Sequence, residues 1–219
     1  MSDWWVHRYY HADPIYLFAW IGWVIASIVL HELGHGIVAE RQGDPTPRAL
    51  GRLTLNPGVH IPGMAWVLFA FLGFTWGVMP IDPRYFRHGR WSRALVAAAG
   101  PAVNLALAMI LLVALTLWLK YGSASPAVFS GVTTVLEVGA LVNLVLLLFN
   151  LMPFPPLDGS AILAAAVPPI DRWFRDPAVL NAGFVIIMIL GLVGMFDFIR
   201  VAARFIEINT VRALAGLLP

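Results

Sequence analysis

Hydrophobic residues along this chain come in long blocks, unlike the alternating or 3.6-residue stripes of a water-soluble fold. Apolar runs cover about residues 15–39, 92–119, 127–150 and 179–196, each long enough to cross a bilayer as a helix. A fifth run, Ile61 to Met79, is interrupted by Pro62, Gly63, Gly73 and Gly77 and followed by Pro80. It can just cross a bilayer, and its glycines equally suit a hairpin that enters and leaves on one side. Between the runs, Gly43, Pro45 and Pro47 end the first helix. Gly51 to Asn56 alternates polar and apolar ahead of Pro57, which predicts a short strand closed by a turn. Pro153, Pro155 and Pro156 break the third run after Asn150, and a short helix follows to Val167. Beyond Phe196, Arg200, Arg204 and Glu207 fall on one helical face opposite Val201, Phe205 and Ile208, predicting a helix that lies in the interface. Trp4, Trp5, Tyr9 and Tyr10 predict an aromatic belt just before the first run. The expected fold is an all-α polytopic membrane protein: about four transmembrane helices, a re-entrant hairpin and a short β element near the candidate site. It forms a single domain over 1–219, with a core of about 15–160 and a C-terminal span and interfacial helix in 161–219.

Composition supports the membrane reading. Of 219 residues only 12% are charged and 60% are hydrophobic, against about a quarter charged in a soluble domain. The absence of cysteine excludes disulfides and thiolate metal sites. A net charge of +2 without a basic block argues against nucleic acid as a partner. Met1 to Pro14 lacks the basic start, apolar core and small-residue cleavage site of a signal peptide.

Candidate chemistry sits inside the first run, at His31-Glu32-Leu33-Gly34-His35. Residues four apart share a helix face, so His31 and His35 can present two imidazoles to one ion, with Glu32 beside them as a general base. Ionisable groups in a membrane helix are costly, and three within five residues point to a functional site. A catalytic zinc takes three protein ligands and a water. His7, His11, His60 and His88 all lie in loops or the N-terminal tail, which leaves the intramembrane acids Glu137 and Asp158. The proline-broken segment can be shaped around a metal and favours Asp158 over Glu137. His7 and His11 also stand four apart, but with no glutamate between them.

Taken together, the HELGH span, Gly51-Arg-Leu-Thr-Leu-Asn-Pro57, Gly100-Pro101 with Asn104, and Asn150 through Gly159 resemble the site-2 proteases. More narrowly they resemble the small prokaryotic group without PDZ or nucleotide-sensing domains. The resemblance covers about residues 15–160 and implies an intramembrane zinc metalloprotease acting on transmembrane protein substrates. It implies His31, His35 and Asp158 as ligands of Zn2+ and Glu32 as base. It also implies Asn150 as a group that holds substrate or the oxyanion, and assigns a less defined part of that role to Asn104. Two departures fall near the region that admits substrate. Trp76-Gly77-Val78-Met79-Pro80-Ile81-Asp82 replaces a Lys-Pro-Val-Pro stretch, and Pro62 replaces an aspartate. Other classes fit less well. A histidine-box oxygenase needs about eight clustered histidines, whereas this chain has six. A metal transporter has no use for Glu32 beside a ligand, and a non-proteolytic scaffold has no use for the complete set.

Orientation follows from charge. If 61–79 re-enters, Arg41, Arg48, Arg52, Arg84, Arg87, Arg90, Arg93, Arg172 and Arg175 share one side. Arg8, Lys120, Arg200, Arg204 and Arg212 share the other, a division of 9 to 5; a crossing run divides them 7 to 7. The positive-inside rule then predicts a multi-pass plasma-membrane protein with the HELGH end of its helix toward the cytoplasm.

Overall fold

The computed structural model describes residues 4–174 and 176–218. Three helices carry the architecture, and their sequence signals are plain. Helix α1 (Trp5–Ala12) leads into α2 (Pro14–Arg41), which begins where the Asp13 carboxylate accepts the Tyr16 N–H at 3.0 Å and Pro14 presets the first turn. At 28 residues α2 is about 42 Å long at ~1.5 Å per residue, enough to cross a bilayer. Two short helices, α3 (Thr46–Ala49) and α4 (Pro57–His60), precede α5 (Gly63–Leu72). Helices α6 (Arg90–Tyr121) and α7 (Pro126–Asn150) are the other two long, apolar elements. They are followed by α8 (Asp158–Ala166), α9 (Pro168–Phe174), α10 (Pro177–Leu192) and α11 (Met195–Leu217). Among the described residues, three helices (α2, α6 and α7) are long and apolar enough to cross a membrane singly.

Two apolar cores join them. Ala19, Val24 and Ile28 of α2 pack with Ala65 and Phe69 of α5 and Val138 and Val142 of α7. On the other side of α7, Ala140, Leu141 and Leu144 meet Ala108, Leu111 and Leu112 of α6 and Ala203 of α11. The outward faces stay apolar, with Ile110, Val113 and Leu117 exposed, as a lipid-facing surface requires.

The run from Ile61 to Met79 is built as a hairpin. Helix α5 leads in and ends at Gly73, whose φ of 72° only glycine adopts without strain. The chain then returns without helix, turn or bend over 74–82, and the Val78 N–H donates to the His60 carbonyl at 2.9 Å, so the two ends of the run meet. Both Trp4 and Trp5 donate their indole N–H to the Ala70 carbonyl, which ties the N-terminal aromatics to the hairpin tip.

One expectation is corrected, and two others meet a different local geometry. The predicted strand over 51–56 is absent, and no strand occurs among the described residues. The groups of that segment bond locally instead: Arg52 N–H to the Pro47 carbonyl, and the Asn56 side chain to the Gly58 N–H. The predicted fourth span, 179–196, is not confirmed. Helix α10 has sixteen residues and ends before Gly194 (φ 100°), so Phe196 belongs to α11. Finally, the helix expected in the interface lies along the bundle. Its Phe196 ring is 5.6 Å from that of Phe149 at one end of α7, and its Leu218 neighbour accepts from Lys120 Nζ (2.8 Å) at the other end of the bundle. Its charged residues gather at the seam with α2 and α7: Glu207 is buried, half-exposed Arg204 lies 2.9 Å from it through Nη1 and 3.7 Å from Glu137 through Nη2, and exposed Arg200 lines the same cleft, while Phe205 faces out. Next to lipid, the polar face of a helix must turn toward protein. Arg175, one of the residues in the charge division, lies outside the described residues.

Candidate metal centre

His31 and His35 project from the same face of α2, near its C-terminal third, and their Nε2 atoms are 2.9 Å apart. The chain reaches the third candidate ligand through the loop Leu151–Leu157. There Gly159 packs so close to the Leu151 carbonyl that no side chain fits, which seats the start of α8 against the end of α7. Asp158 is the first residue of α8, and its Oδ2 lies 3.2 Å from His31 Nε2 and 3.4 Å from His35 Nε2. Among the described residues these three form the group able to hold a metal. Glu137, the other candidate, is paired with Arg204 beside Asp13 and Tyr16, away from this group. His7 and His11 meet edge to face, with ring centroids 4.5 Å apart. His60 is buried and bonds through Nε2 to the Thr54 carbonyl.

The donor chemistry fits a divalent cation. His35 Nδ1 is 2.7 Å from the Val96 carbonyl, which can only accept, so Nδ1 carries the proton and Nε2 presents a lone pair. His31 Nδ1 is 2.7 Å from Asn104 Oδ1, with the same consequence. Asp158 Oδ2 is buried without a hydrogen-bond donor. Two imidazole lone pairs and a carboxylate oxygen converging in this way repel one another unless a cation lies between them. Backbone from α6 closes the site: a Cβ at Gly100 would collide with His35 Nε2 and sit 2.5 Å from His31 Cε1 and Nε2.

Glu32 is buried beside the triad and shares with it a cavity of about 600 Å³. Asn150 lines that cavity too, with its amide Nδ2 3.0 Å from the Leu146 carbonyl one turn back. Asn104 does not line the cavity; it is fully buried between His31 and Asn143. One wall is the extended return of the hairpin, Thr75 to Met79. Gly77 crosses directly over Glu32. Asp44, in the turn after α2, fixes this wall. Fully buried, it accepts the Thr46 N–H at 2.9 Å and the Asp82 N–H at 2.8 Å, tying the α2–α3 turn to the end of the extended segment. A lone acid in a Gly-Asp-Pro turn carries no signal of a partner 38 residues away.

Comparison with known proteins converges on one family. The profile of Peptidase family M50 matches residues 19–194. A protein of Bacillus subtilis named "Putative zinc metalloprotease YwhC" is 40% identical over 169 residues, covering 76% of this chain and 77% of its own. One of Mycobacterium tuberculosis named "Putative zinc metalloprotease Rip2" is 33% identical over 169 residues, covering 72% of this chain and 60% of its own. No solved structure gives a significant match.

Proposed function

The chain belongs to peptidase family M50 and is a zinc metalloprotease, and we propose that it hydrolyses peptide bonds in or near transmembrane helices of other membrane proteins. The observation that carries this reading is the convergence of His31, His35 and Asp158 on one point, with Glu32 beside them in a cavity walled by extended backbone. Zinc held there supplies Lewis acidity toward a carbonyl oxygen and makes a water easier to deprotonate. Glu32 takes the proton from that water and returns it to the departing nitrogen. Asn150 has a second amide hydrogen free to donate to the oxygen on which charge develops, since its bond to Leu146 uses one of two.

A substrate helix hides its peptide bonds in its own hydrogen bonds, so it must unwind locally. The extended Thr75–Met79 wall offers the unwound segment a backbone to pair with by strand addition. The cavity is rich in apolar lining, with Ile28, Phe74, Trp76, Phe149 and Phe184, which suits the side chains of a membrane-spanning substrate. The proposed orientation puts this site toward the cytoplasmic face of the plasma membrane, supported by the excess of arginine on that side and by the meeting of the hairpin's two ends.

Detergent-purified protein should contain one zinc per chain and cleave a transmembrane substrate. Glu32→Gln should keep the zinc and lose cleavage. Retained cleavage with zinc bound would remove Glu32 from the mechanism, and zinc transport without cleavage would replace the reading with that of a transporter.

A further inference from the structure

We infer that Asn143 is a positioning residue for the metal site, acting through Asn104 to fix which nitrogen of His31 faces the ion. Three hydrogen bonds run in series from helix backbone to ligand. Asn143 Nδ2 donates to the Gly139 carbonyl at 2.9 Å, Asn104 Nδ2 donates to Asn143 Oδ1 at 3.0 Å, and Asn104 Oδ1 lies 2.7 Å from His31 Nδ1. All four residues are buried, and both asparagine side chains are fully so. Their directions are set from one end. A carbonyl can only accept, so the Asn143 amide nitrogen must point at Gly139 and its oxygen at Asn104. The Asn104 nitrogen must then face Asn143, leaving its oxygen for His31. An oxygen facing Nδ1 requires that nitrogen to carry the proton, so Nε2 presents the lone pair. If either amide were reversed, acceptor would meet acceptor in a dry core, at the full desolvation cost of an unmade bond.

The two ligands thus reach the same tautomer by different routes. His35 needs only the Val96 carbonyl, which cannot flip. His31 faces a side-chain amide, which can, and Asn143 is what prevents it. The residues of this relay lie on three helices, α2, α6 and α7, so the arrangement couples bundle packing to the metal.

The inference rests on His31 being a zinc ligand. That reading fails if His31→Ala keeps its zinc, whereas the relay fails on Asn143 alone. Zinc affinity is read by competition with a chromogenic chelator, and the His31 tautomer by 15N NMR of zinc-loaded protein labelled at histidine. Asn143→Leu, similar in volume, should weaken zinc binding about 10–100-fold and broaden or lose the His31 Nδ1–H signal while that of His35 persists. Adding Asn104→Asp to Asn143→Leu should restore both, because a carboxylate accepts from either oxygen and needs no partner to orient it. Zinc affinity within threefold of wild type in Asn143→Leu overturns the relay. So does weakened binding that Asn104→Asp fails to restore, which would make Asn143 a packing residue. The unaltered protein gives a check that no folding defect can obscure: a His31 bound through Nδ1 also overturns it.

Discussion

The backbone of Gly77 passes so close to Glu32 that a Cβ there would lie 2.5 Å from both Cγ and Oε1 of the carboxylate. The extended segment and the proposed general base are therefore a fitted pair, held together by Val78 bonding His60 and Asp82 bonding Asp44. Gly77→Ala must push one away from the other. Zinc content should stay at one per chain, since no ligand moves, while the rate of cleavage falls; a displacement on the order of 1 Å can cost about 100-fold. Wild-type turnover in Gly77→Ala would show that the segment yields freely.

Gly100 makes the same kind of contact with His31 and His35 themselves. Imidazoles fixed at both nitrogens cannot yield as the end of a flexible side chain would, so Gly100→Ala should abolish stoichiometric zinc as measured by elemental analysis. A Cβ at Gly22 of α2 would meet nothing within 4 Å, so Gly22→Ala is the matched control. It should keep zinc and gain up to about 1 kcal/mol of helix stability.

Zinc should stabilise the fold through Asp158 and not through Glu137. At a free zinc concentration of about 100 times Kd, binding contributes about 2.7 kcal/mol, which for a chain of this size raises Tm by roughly 5–10 °C. A chelator should remove that increment in the wild type and in Glu137→Gln. Asp158→Asn should already lack it. An Asp158→Asn protein whose Tm still responds to zinc would place the third ligand elsewhere.

The hairpin can be tested directly in this cysteine-free chain. Gly58 and Arg90 are both exposed and flank the hairpin on either side. Single cysteines at these positions should both react with a membrane-impermeant maleimide from the cytoplasmic side. Labelling from opposite sides would mean that the 61–79 run crosses.

Much of this protein was determined locally. The apolar runs of α2, α6 and α7, the two histidines one turn apart and the proline break before Asp158 are features of neighbouring residues, and helix periodicity alone gives them their meaning. What the tertiary structure decided depends on partners far apart in the chain. Asn104 meets His31 across 73 residues, so a polar residue in an apolar helix shows itself as the anchor of that imidazole only once α2 and α6 are packed. The alternation at 51–56 has the period of a strand, but a strand exists only with a second one to bond, and the groups of this segment bond locally instead. Arg200, Arg204 and Glu207 do share a helix face, as their spacing dictates. Whether that face meets water or protein depends on what surrounds the helix: here Glu207 is buried and Arg204 reaches Glu137 of α7, while Arg200 stays exposed.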